Sequence, residues 1–169
     1  ERTKLVVMSH ASNVSGTVLD AETAGKICKQ KGVYFALDAA QSAGVIDIDF
    51  EKFSLSALCI TGHKGLLGPQ GIGALLLTPK IAAEMEPLIC GGTGSASHLI
   101  TMPEFMPDKF EAGTLNLPGI IGLNAALRYI EERTPAEIRK HELELAAKFI
   151  DGLQSDTNIR IVGIRGKEN

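Results

Sequence analysis

The sequence predicts an α/β fold, a three-layer α/β/α sandwich around a mainly parallel sheet. Three observations predict it. Short apolar runs rich in β-branched residues recur along the first half of the chain, as buried strands require. Looped or helical stretches separate them, as crossovers between parallel strands must. Polar residues gather where the runs end, and open α/β sheets bind ligands at the carboxyl ends of their strands.

The elements follow in order. Lys4 to Met8 reads as a buried strand, and Ser9 to Gly16, small and polar, as a loop. Asp20 caps a helix running to about Lys31, where Gly32 stops it. Val33 to Leu37 is the next strand, ending at Asp38. Leu55 to Thr61 is another, ending just before His63 and Lys64. Gly71 to Leu77 is a further strand, closed by Thr78 and Pro79. Glu86 to Phe110 has little periodicity and reads as a long loop, a feature often tied to function. Pro118 starts a helix to about Glu132 with Ile120, Leu123, Leu127 and Ile130 on one stripe. Thr134, Pro135 and Glu137 form a capping box. It opens a helix to about Gln154 with Ile138, Leu145, Phe149 and Leu153 facing the core and His141 at its boundary.

The bulk numbers narrow the function. The 169 residues suit one domain, and 44% hydrophobic with 22% charged residues is an ordinary soluble composition. A net charge of −3 without a basic patch argues against nucleic acid. No apolar run is long enough to span a bilayer, and the charged opening, Glu1 to Lys4, does not read as a signal peptide. Cys28, Cys59 and Cys90 form no C-x-x-C pair. They read as reduced, buried small hydrophobes in a cytoplasmic setting. The chain lacks a starting Met and stops after a fresh strand signal, Ile159 to Ile164, so it reads as a fragment.

Lys64 carries the candidate chemistry. It stands in Thr61-Gly62-His63-Lys64-Gly65, directly after an apolar strand. A lysine is usually a solvated surface charge. In a desolvated pocket its amine can form a Schiff base with a carbonyl, and a glycine on each side would let a bulky ligand approach the backbone. Asp38 ends the preceding strand, where a carboxylate is usually a turn former or a cap. It can instead be the counter-ion of a buried cation. A Schiff-base lysine and an acid facing a pyridine nitrogen are what pyridoxal phosphate enzymes need. Gln41 can donate to the ring's phenolic oxygen. Two other chemistries are weaker. Gly68 to Gly73 precedes a strand and lacks the G-x-x-x-x-G-K-[ST] form of a nucleotide loop. His10, His63, His98 and His141 show no metal-ligand spacing, so no metal site is assigned.

Ser9 to Thr17 (SHASNVSGT), Asp38 to Gln41 (DAAQ), Thr61 to Lys64 (TGHK), Gly68 to Gly73 (GPQGIG) and Phe110 to Asn116 (FEAGTLN) together resemble the class V aminotransferase family, and within it the cysteine desulfurases. The motifs come in the family's order and cover nearly the whole chain. The resemblance implies pyridoxal 5'-phosphate held by Lys64 as the Schiff-base lysine, with Asp38 on the pyridinium nitrogen and Gln41 on the phenolic oxygen. It implies Thr61 and His63 at the phosphate and Asn13 near the phenolic oxygen and the substrate carboxylate. Gly113 and Thr114 would reach the cofactor of a neighbouring subunit, which implies a homodimer with a shared active site. His10 falls in the same loop without a clear role. Residues 1–155 would then be part of the large cofactor-binding domain and 156–169 the start of the small C-terminal domain.

The implied activity is conversion of L-cysteine to L-alanine with a persulfide on the enzyme, serving a sulfur-acceptor protein in iron–sulfur cluster assembly. A class V aminotransferase or a selenocysteine or cysteine lyase would use the same lysine, aspartate and glutamine, and a catalytically silent scaffold is the alternative of another kind. None of Cys28, Cys59 or Cys90 matches the family's reactive cysteine. By the resemblance, that cysteine and the carboxylate-binding arginine fall beyond Asn169, and the phosphate loop and ring-stacking histidine before Glu1. The 169 residues alone are expected to turn over weakly or not at all.

Overall fold

The computed structural model describes residues 2–96, 98–154, 156 and 158–163. Four strands form one sheet in the order β1 (Leu5–Ser9), β2 (Tyr34–Asp38), β3 (Ala57–Thr61), β4 (Gly73–Leu77). The first three pair in parallel and β4 returns antiparallel to β3. The connections explain the difference. Helix α1 (Ala21–Lys31) carries the chain back between β1 and β2. The β3–β4 connection instead folds on itself, with Gly62 N–H donating to Ile72 O at 2.9 Å and Thr61 in register with Gly73. The fold is thus α/β with a mixed, mainly parallel sheet.

Side chains alternate across a pleated strand, and this sorts the sheet into two faces. Val6, Met8, Phe35, Leu37, Leu58 and Ile60 point to the core. Ala21 and Cys28 of α1 meet them there, with Leu123 and Ile130 of α3 (Leu117–Arg133) and Ile138 of α4 (Pro135–Leu153). Phe35 and Leu37 have no exposed surface, and each such burial is worth about 2 kcal/mol. The opposite face carries Leu5, Val7, Ser9, Asp38 and Cys59. Helix α2 (Pro79–Glu84) lies on that side against Tyr34. Lys80 Nζ lies 5.4 Å from the Tyr34 ring centroid, and a hydrogen bond to Glu84 pushes the tyrosine's pKa up.

Local signals set the helix ends. Asp20 accepts from Thr23 N–H at 2.9 Å to open α1, and Gly32 closes it. Thr134 accepts from Glu137 N–H at 3.3 Å to open α4.

Several expectations need correcting. β1 is not buried: Val7 is 68% exposed, because only Val6 and Met8 face the core. Thr78 and Pro79 do not merely close β4. They are the N-cap and first residue of α2, since a threonine before a proline suits a helix start as well as a strand end. Among the stripes, Ile120, Leu127, Leu145 and Phe149 are exposed, as is His141. Helical period marks a stripe but not what lies opposite it. Cys28 is buried, but Cys59 and Cys90 are exposed. Cys59 belongs to the sheet face away from the core. The strand expected over Ile159 to Ile164 does not form across the described residues 159–163, and Ile164 lies outside the described residues. So do residues 157 and 164–169 of the expected small-domain start over 156–169.

Candidate active site

The carboxyl ends of β1, β2 and β3 open onto one cleft of about 610 Å³, within the size range of small-ligand sites. Three successive strand ends feed it. The loop after β1 supplies Asn13 with Ser12, Ser15 and Thr17, the end of β2 supplies Asp38 and Gln41, and the turn after β3 supplies Lys64. A carboxylate, an ammonium, two carboxamides and several hydroxyls therefore line one space. Ser9, Ser12, Ser15 and Thr17 line it in addition to the candidates named from sequence, and their small polar run is the signal for them.

Local structure holds each group. The loop after β1 closes on itself through an isolated bridge between Ala11 and Val18, with Ser12 N–H donating to Thr17 O at 2.9 Å. Ser12 Oγ accepts from the Val14 and Ser15 amides, each at 3.2 Å. Asp38 Oδ1 accepts from Ala40 N–H at 2.9 Å. The turn-forming role usual for such a carboxylate is therefore met by one oxygen, while the side chain also lines the cleft.

Beneath the cleft, His10 is 3% exposed. Its Nδ1 lies 2.9 Å from Ser42 Oγ, and its ring meets Phe53 edge-on at 6.0 Å. This contact ties the loop bearing Asn13 to the loop bearing Gln41. Burial holds the imidazole below its usual pKa, and Arg139 adds to that shift. His10 is thus a packed support beneath the cleft.

Two glycines bring the second and third loops together. A Cβ on Gly44, at φ +88°, would lie 2.3 Å from Gly65 O, and one on Gly65 would lie 2.5 Å from Ala43 O. Only backbone without side chains permits this approach. A Cβ on Gly62 would strike Ile72 Cγ2 at 2.7 Å. The glycines flanking Lys64 therefore serve chain-to-chain packing.

The other candidates stand outside the cleft lining. Thr61 Oγ1 and His63 Nδ1 lie 3.1 Å apart, bonded to each other. Gly113 and Thr114 are exposed, with Gly113 N–H donating to Gly92 O at 2.7 Å. Asn116, in the same segment, was missed as a support. It caps α3 by accepting from Gly119 N–H at 3.1 Å and donates to Gly71 O at 3.0 Å. Its place before Leu117-Pro118 was the signal for the cap. A separate cavity of about 310 Å³ from Cys90 to Pro103 offers hydroxyls and one thiol but neither amine nor carboxylate.

The donor set suits pyridoxal phosphate: an amine for its aldehyde, a carboxylate for its ring nitrogen and amides for its phenolic oxygen. Comparison with known proteins points the same way. The chain is 41% identical over 155 residues to a probable cysteine desulfurase of Pyrococcus abyssi, covering 89% of this chain and 38% of that protein. It superposes on the apo cysteine desulfurase of Thermococcus onnurineus NA1 with a TM-score of 0.85 and 35% identity, over 97% of this chain and 41% of that one. A third likeness is to SspA, solved in complex with cysteine, with a TM-score of 0.62 and 33% identity over 75% of this chain and 33% of that one. The chain spans about two fifths of the length of the curated relatives it matches. The family model for class V aminotransferases, a pyridoxal-phosphate-dependent family, matches residues 1–169, and the chain belongs to that family.

Proposed function

We propose that this chain forms the central part of a pyridoxal-phosphate-dependent cysteine desulfurase, which converts L-cysteine and an enzyme thiol into L-alanine and an enzyme persulfide. The observation that carries the reading is the convergence of Asn13, Asp38, Gln41 and Lys64 on one cleft at three strand ends. The cysteine desulfurases among its relatives and the cysteine bound to SspA support the choice of substrate.

Lys64 would hold the cofactor's aldehyde carbon, Asp38 its ring nitrogen, and Gln41 and Asn13 its phenolic oxygen. Thr61 and His63 would meet its phosphate after exchanging their mutual hydrogen bond for it. Bound there, pyridoxal phosphate supplies an electron sink for a substrate Cα–H bond. Lys64, as a free amine, takes the Cα proton and returns it, a task for a base placed within reach of that carbon. Asp38 keeps the ring nitrogen protonated. Asn13 orients the substrate carboxylate. Neither Cys28 nor Cys59 suits the acceptor thiol. Cys28 is buried, and Cys59 is held protonated by burial and by Asp38. The enzyme would be a cytoplasmic homodimer, with Gly113 and Thr114 reaching the partner's cofactor, and would pass sulfur to an acceptor protein in iron–sulfur cluster assembly.

The test is reduction with borohydride after incubation with pyridoxal phosphate, followed by peptide mapping. A single label at Lys64, lost in Lys64→Ala, is expected. A label on any other lysine overturns the assignment. Alanine rather than a keto acid as the organic product separates a desulfurase from an aminotransferase.

A further inference from the structure

We propose that Lys109 is a positioning residue for the segment 110–114, the buried cation that fastens this segment to helix α2. Its consequence for the enzyme rests on the reading of Gly113 and Thr114 as reaching the partner's cofactor.

Lysines are almost never fully buried unless paired, yet Lys109 is 4% exposed in the stretch between α2 and α3. Covering an ammonium is costly unless its donors are met. Here a carbonyl, a carboxylate and an aromatic ring meet it. Lys109 Nζ donates to Ala82 O at 3.2 Å, pairs with Glu104 Oε2 at 3.2 Å and lies 5.6 Å from the Phe110 ring centroid.

The three contacts differ in weight. The Glu104 side chain is 87% exposed, and a pair whose anion stays in water holds little by itself. Ala82 is buried, and its carbonyl is among the last of α2. A helix end leaves such acceptors without an intrahelical donor, and its dipole favours a cation there. The covered bond to α2 is therefore the main fastening.

A local turn aims the side chain inward. Lys109 N–H donates to Phe105 O at 2.9 Å and Phe110 N–H to Pro107 O at 3.1 Å. Within the short helical turn Asp108–Phe110, Lys109 is the buried residue. Just downstream, Gly113 N–H donates to Gly92 O at 2.7 Å. The segment is thus held to α2 at Lys109 and to the loop after α2 at Gly113. Gly113 and Thr114 are themselves exposed, so a fixed place for them depends on the covered residue upstream.

The experiment is hydrogen–deuterium exchange read by mass spectrometry on wild type and Lys109→Met, which keeps much of the apolar stem and loses the ammonium. Exchange across 110–116 should quicken about tenfold while peptides of β2 keep their wild-type rates. Unchanged exchange across 110–116 overturns the proposal. So does a rise shared equally by β2, which marks a general stability role. Should Lys109→Met fail to fold, acetylation of the wild type by acetic anhydride decides. Lys109 should react at least about tenfold more slowly than exposed Lys148, and equal rates overturn the fastening.

A second arm titrates pyridoxal phosphate into the enzyme and reads the dissociation constant. Lys109→Met and Thr114→Ala should each weaken binding, and the double variant should lose less than the two single losses added together, because both act through one segment. Additive losses, or wild-type affinity in Lys109→Met beside a weakened Thr114→Ala, overturn the positioning role. Wild-type affinity in Thr114→Ala would sink the reading of Gly113 and Thr114 alone, and exchange across 110–116 would still decide whether Lys109 fixes the segment.

Discussion

His10 shows what one residue in a sequence does and does not disclose. The loop after β1 was legible, but the histidine's burial depends on Ser42 and Phe53, which come from segments distant in sequence. Its depressed pKa has a consequence for stability. The folded form resists protonation, so the unfolded chain binds a proton first as pH falls below the usual histidine value of 6.5. Stability contributed at higher pH is then lost as pH falls from that value through the folded pKa. The melting temperature should drop on acidification through this window, and His10→Gln should flatten that slope at a cost of about 1 kcal/mol at neutral pH. Calorimetry at several pH values checks both. Lys64 and Asp38 were legible as strand-end residues because they directly follow apolar runs. That Thr61 and His63 bond to each other was not, because side-chain pairing depends on rotamers that sequence does not reveal.

Elements were read best where their signals are local. Both ends of α1 follow from Asp20 and Gly32, residues that act on their own helix. Helix α2 went unread because Thr78-Pro79 also suits a strand end. The close approach of the second and third loops was hidden, since a glycine's neighbour across space leaves no mark nearby in sequence. Gly65→Ala puts a methyl group 2.5 Å from Ala43 O. It should cost about 2 kcal/mol and spread the loops bearing Gln41 and Lys64, with backbone displacement the price. Urea denaturation gives the first quantity. Cofactor labelling at Lys64 should weaken with it. Asn116→Ala removes both a helix cap and the bond to Gly71 O, and should cost about 1–2 kcal/mol.

Across the whole molecule, the two faces of the sheet behave differently. Leu37 is fully buried, so Leu37→Ala should cost about 2–5 kcal/mol. Val7, one strand away on the open face, is 68% exposed, and Val7→Thr should stay within about 0.5 kcal/mol. Chemical denaturation of the pair separates the faces, and equal losses would contradict this layering. Alternating apolar runs made the α/β class legible. The division of faces was less so, because runs such as KLVVM are apolar at every position. The cleft draws on the ends of β1, β2 and β3, which meet only through pairings between distant parts of the chain. Such contacts form late, after the entropy of closing long loops has been overcome. A chain whose parallel strands have not yet found their register therefore has no partial version of this cleft to offer.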